Sequence, residues 1–87
     1  MSRPKWAVDD FDRGVAAWAQ AEHPTGRLLA RVQHWREVAE RLGPQDLWTL
    51  VDDDQFFVTK VPQTDTYISG RVLAYERRLI IDRIEGT

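Results

Sequence analysis

Between residues 26 and 42, Leu28, Val32, Trp35, Ala39 and Leu42 recur at spacings of 4, 3, 4 and 3. That period matches the turn of an α-helix and lays five apolar side chains along one stripe. A helix with such a stripe has to lie against something, so the rest of the chain must supply a surface to cover it. The ends are marked as clearly as the middle. Thr25 can cap the first turn with its side-chain oxygen, Gly43 suits the left-handed position that ends a helix, and Pro44 blocks continuation.

Residues 10–22 predict a first helix, with Phe11, Val15, Trp18 and Ala19 on one face. Asp9 or Asp10 is the expected cap, and Pro24 the stop. Gly14 weakens this helix by up to about 1 kcal/mol relative to alanine. Few residues separate the two helices, which predicts an antiparallel helical hairpin over residues 9–43. Residues 1–8 read as a flexible tail, in which Trp6 stands outside any periodic pattern as a candidate exposed anchor.

After Pro44 the pattern changes. Residues 47–51 and 55–61 are rich in β-branched and aromatic types, with Asp52, Asp53 and Asp54 between them as a turn. A second turn at residues 62–65 leads to strands over 66–75 and 79–84, with Gly70 a point of bulge or close approach. The turn between those last strands has no glycine, asparagine or proline. A helix over 71–85 is the alternative, but its apolar residues would wrap nearly the whole circumference. The expected fold class is therefore α+β. It is one domain spanning residues 1–87, with an N-terminal helical hairpin packed on a three- to four-stranded antiparallel β-meander over residues 46–85.

Composition narrows the chemistry. With 87 residues and four tryptophans, a small core depends on large rings. Each can contribute roughly 4–6 kcal/mol as an upper bound. The net charge of −2 argues against a nucleic-acid coat or a membrane-surface role. The absence of cysteine excludes disulfides and thiolate chemistry, and fits a cytoplasmic location. The N-terminus lacks the apolar stretch of a secretory signal. No cofactor is expected. His34 and Glu37 stand three apart on a helix, but the further ligands of a metal site are missing, so no metal is expected either.

Two kinds of surface stand out. Asp46, Asp52, Asp53, Asp54 and Asp65 form an acidic segment, relieved only by Lys60, that would attract a positively charged protein. With no catalytic motif in the chain, this points to a non-enzymatic protein-binding module: an inhibitor, immunity or accessory protein docking on a larger partner. The opposing feature is two arginine groups. Arg27, Arg31 and Arg41 share one side of the second helix with His34. Arg71, Arg77, Arg78 and Arg83 cluster near the C-terminus with Tyr67 and Tyr75. Charge and stacking of that kind are what single-stranded nucleic acid requires, so the alternative is an RNA-binding protein, extending to a small ribonuclease toxin. His34, Tyr75, Glu76 and Arg77 include the acid, base and cation that cleavage would need. A homodimer through an exposed strand edge is a third option.

Two family likenesses accompany these readings. Gly70, Val72, Tyr75, Glu76, Leu79 and Ile81 resemble the first motif of the Sm family of RNA-binding barrels, with Ile80 where that motif carries its RNA-contacting asparagine. The order of helix, helix and sheet is similar to bacterial RelE-type endoribonuclease toxins, which begin with a strand that this sequence does not reveal. Each likeness would imply RNA as the ligand.

Overall fold

The computed structural model describes residues 5–43, 49–50 and 55–87, with the backbone alone for 49–50. The striped segment forms helix α2, Gly26–Leu42. The Leu28 amide donates to the Thr25 hydroxyl at 3.2 Å, which satisfies one of the free donors of the first turn. Gly43 ends the helix at φ 68°, a conformation that costs glycine little. The indole of Trp6 occupies the space where any side chain at position 43 would begin.

Helix α1, Phe11–Glu22, starts differently from the expectation. Asp10 lies in the left-handed region at φ 62° without a capping hydrogen bond from its side chain, and its carbonyl accepts from the Gly14 amide at 3.0 Å. Asp9 is committed elsewhere, to Arg78. Gly14 has a packing reason to be small: a Cβ there would lie 3.3 Å from Ile81 and 3.5 Å from Ile84. The helix therefore rests closely on the strand beneath it.

Among the described residues, five strands make one sheet: β1, Ala7–Asp9; β2, Thr49–Leu50; β3, Phe56–Lys60; β4, Thr66–Leu73; and β5, Arg78–Gly86. Their order is β1-β5-β4-β3-β2. The pairs from β2 to β5 are antiparallel, but β1 runs parallel to β5, with Ala7 opposite Arg78 and Asp9 opposite Ile80. The sheet is thus mixed, which corrects the antiparallel meander expected above. It also places residues 7 and 8, read as the end of a tail, and Asp9, read as a helix cap, inside the sheet. Hydrogen bonds from the Trp6 amide to the Glu40 carbonyl (2.9 Å) and from the Ala7 amide to the Arg77 carbonyl (2.8 Å) hold this segment. Trp6 is half-buried against the core and so is not a free anchor.

Residues 71–85 are strands and a turn, not a helix. The turn needs no glycine because Ala74–Glu76 forms a 3₁₀ turn and Arg77 itself adopts the left-handed conformation at φ 49°. Between Ser69 and Gly70 the register of β4 and β5 slips: Ser69 faces Arg83 while Gly70 faces Ile81, leaving Asp82 as the extra residue of a bulge. Gly70 is required there, since a Cβ would stand 2.0 Å from the Ile80 carbonyl oxygen. The Sm likeness thus falls on an ordinary β4–β5 hairpin of a mixed sheet with β1 and β2 at its ends.

Both helices contribute to the core against one face of the sheet. Trp35 stacks between Phe11 of α1 (6.3 Å, 13°) and Phe57 of β3 (6.4 Å, 13°), within the favourable range for ring pairs. Trp18, Val32, Ala39, Val61, Ile68, Val72, Leu79, Ile81 and Ile84 complete the buried cluster. Leu42, the last residue of the stripe, is exposed. No helix among the described residues is long and apolar enough to cross a membrane.

Candidate functional site: the outward face of the sheet

Alternation along a strand sends neighbouring side chains to opposite faces. In β3, Phe57 and Thr59 are buried while Phe56, Val58 and Lys60 are exposed. In β4, Thr66, Ile68, Gly70 and Val72 are buried, and Tyr67, Ser69, Arg71 and Leu73 point the other way. In β5, Leu79 and Ile81 are buried, Arg78 and Ile80 half-buried. The bulge then changes the parity. Arg83 and Glu85 join Arg78 and Ile80 on the outward face, and Ile84 goes into the core. Without that one extra residue Arg83 would point inward, because a slip of one position exchanges the faces.

The registers set these side chains in rows. Lys60 lies opposite Tyr67, and Tyr67 opposite Glu85. Val58 lies opposite Ser69, and Ser69 opposite Arg83. Phe56 lies opposite Arg71, and Arg71 opposite Ile80. Phe56, Val58 and Tyr67 are 38%, 39% and 42% exposed, a contiguous aromatic and aliphatic strip that a folded chain usually covers or uses. Lys60, Arg71, Arg78 and Arg83 accompany it, against Asp9, Glu85 and the bulge residue Asp82. With Asp65 and Glu76 at its margins, four positive and five negative groups intermingle on this side among the described residues.

Ion pairs order part of the face. Arg78 donates to the Asp9 carboxylate, tying β1 to β5, and lies 3.8 Å from Glu76. The hydrogen bond to Asp9, then that carboxylate's charge, hold the Arg78 guanidinium above its ordinary pKa. Arg83 sits 3.4 Å from Glu85, and Lys60 3.6 Å from Asp65 in the β3–β4 turn. Arg71 has no ion-pair partner among the described residues.

The sequence-derived candidates divide accordingly. Tyr67, Arg71, Arg78 and Arg83 come together on this face. Arg77 and the fully exposed Tyr75 lie beyond its edge, in the β4–β5 turn. Arg27, Arg31 and Arg41 belong to the helical layer, where Arg31 donates to the Gln63 side chain at 2.7 Å. His34 pairs with Glu37 at 3.4 Å on exposed α2 surface. With Arg31, Val61, Pro62 and Gln63 it lines a largely apolar cleft of about 280 Å³ beside the β3–β4 turn. Tyr75, Glu76 and Arg77 are at the opposite end of β4, an eight-residue strand of about 25 Å. The four residues named for cleavage therefore do not converge.

Among the described residues no three histidine, aspartate or glutamate side chains gather as a metal site would need. Of the acidic segment, Asp46, Asp52, Asp53 and Asp54 lie outside the described residues, and Asp65 is exposed beside Lys60. Phe56, Val58 and Ser69 were not named as site residues from the sequence, and Lys60 and Ile80 were not assigned to a binding face. Their alternation with Phe57, Thr59, Ile68 and Ile81 carried the signal, but naming the outward set requires knowing which face the helices cover. No protein-family model matches the chain, and neither does any curated protein or any solved structure.

Proposed function

We propose that this chain is an RNA-binding protein that holds single-stranded RNA on the outward face of its sheet. The observation that supports it most directly is the gathering of Tyr67, Arg71, Arg78 and Arg83 on one face, with Phe56 and Lys60 beside them. Exposed rings give bases a stacking platform, and guanidinium groups meet phosphates. The element order, with a first strand paired to the last one, is similar to the RelE-type order, although no solved structure matches the chain. Fold-level likeness alone does not carry activity, and the residues named for cleavage are scattered, so the reading is of binding. In an anisotropy titration at about 50 mM salt, RNA should be retained and then released as salt rises. Arg71→Ala and Arg83→Ala should each flatten the salt dependence. Absence of RNA binding at that salt would sink the reading.

A protein partner is the second reading, as an inhibitor, immunity or accessory protein. It is favoured by the aliphatic share of the same face, Val58 and Ile80, and by the acidic segment around Asp65. A pull-down with and without nuclease separates the two. A bound protein that survives nuclease treatment supports docking, and one that leaves with the nucleic acid supports RNA.

A further inference from the structure

The outward face repeats one small unit twice. Phe56 of β3 lies across from Arg71 of β4, and Tyr67 of β4 lies across from Lys60 of β3. Each unit is an exposed ring with a cation on the neighbouring strand. The two units stand four positions apart along either strand, a distance of ~13–14 Å at strand rise. Between them stand Val58 and Ser69, opposite each other and carrying no ring.

Resting on the RNA reading above, we infer that the two units take two bases that are not neighbours, splayed onto Phe56 and Tyr67. At least one nucleotide then arches over Val58 and Ser69. The spacing decides this. Stacked neighbours on one strand of a duplex are about 3.4 Å apart, a quarter of the separation of the rings. A strand engaging both rings has to be unstacked, so a duplex is rejected by geometry; even an extended backbone step, about twice the stacked rise, covers only half the gap, so two steps span the rings and one falls short. The occupant is single-stranded RNA of three or more nucleotides. Arg71 and Lys60 meet the phosphates next to the two stacked bases, and Arg83, opposite Ser69, lies beside the arch.

The test uses the full chain and labelled RNA of one sequence as a dinucleotide, a hexanucleotide and a blunt duplex. Phe56→Leu and Tyr67→Leu should each weaken hexanucleotide binding roughly 5- to 100-fold, the loss of one stacked base. The dinucleotide and the duplex should bind wild type far more weakly than the hexanucleotide. Both side chains are exposed, so unchanged melting temperatures confirm that folding is intact. Arg71→Gln and Lys60→Gln keep the rings and should each lower the salt slope by about one phosphate contact. Equal affinity for duplex and hexanucleotide overturns the inference, as does a hexanucleotide indifferent to both leucine variants, while RNA binding itself stands. No retention of any RNA by wild type removes both this inference and the function it rests on. A protein retained after nuclease and lost with Phe56→Leu would then assign the face to a protein partner.

Discussion

The indole N–H of Trp18 donates to the carbonyl oxygen of Gly86 at 2.8 Å, joining the middle of α1 to the end of β5. Trp18 is almost wholly buried, so the bond forms where water does not compete well. Trp18→Phe removes the donor and part of the ring, leaving the carbonyl unpaired and a small cavity. It should cost about 2–4 kcal/mol in urea denaturation. Hydrogen exchange near residue 86 should accelerate more than in α2.

Two glycines should respond in opposite directions to alanine. At Gly70 the added Cβ meets the Ile80 backbone at 2.0 Å. Backbone cannot swing aside as a side chain can, so Gly70→Ala should destabilise by about 2 kcal/mol or more. At Gly26, the first residue of α2, nothing lies within 4 Å. Gly26→Ala should be stabilising by about 0.4–1 kcal/mol through a less flexible unfolded chain. Thermal melts of the two variants side by side check both.

Thr66 is fully buried, and its hydroxyl oxygen has no hydrogen-bond partner among the described residues. Thr66→Val keeps the shape and removes the polar atom. Since a buried unpaired hydroxyl costs on the order of 1–3 kcal/mol, the variant should be as stable as wild type or more so. A fall in the urea midpoint would contradict this.

The Asp9–Arg78 pair joins the parallel strand to its neighbour on a partly exposed surface. Its contribution should shrink with salt. The difference in melting temperature between wild type and Asp9→Asn should narrow between low and high salt. The Arg78 guanidinium titrates above its ordinary value. A group whose pKa is raised on folding gives its stabilisation in full below the unfolded value and loses it only as pH rises through the folded one. Between pH 7 and 10 the difference between the two proteins should therefore stay flat.

The legible parts of the fold were those written in a local period. Residues 28–42 repeat at helical spacing, and Thr25 and Gly43 bracket them, so α2 could be placed from sequence to its terminal residues. β1 could not. Three residues carry no period, and their partner lies at the other end of the chain. The same holds for the turn at Arg77, where an arginine adopts a conformation usually left to glycine or asparagine. For the outward face, the alternation of β3 was visible, but the parity of Arg83 depends on a bulge. Only Gly70 hinted at that irregularity, and it could not say which strand gains the residue. The cleavage candidates failed for a related reason. Adjacency in sequence put Tyr75, Glu76 and Arg77 together in a turn, while His34 belongs to another layer.

The pairing of β1 with β5 also bears on how the molecule is made. Residues 7–9 are synthesised 71 positions ahead of residues 78–80, so β1 waits for β5, its neighbour among the described residues, to be made. Until then Trp18 lacks the Gly86 carbonyl and the β5 residues Leu79, Ile81 and Ile84 of its core. Contacts between such distant positions slow the search for the native state, and exposed apolar surface invites chaperones during the delay.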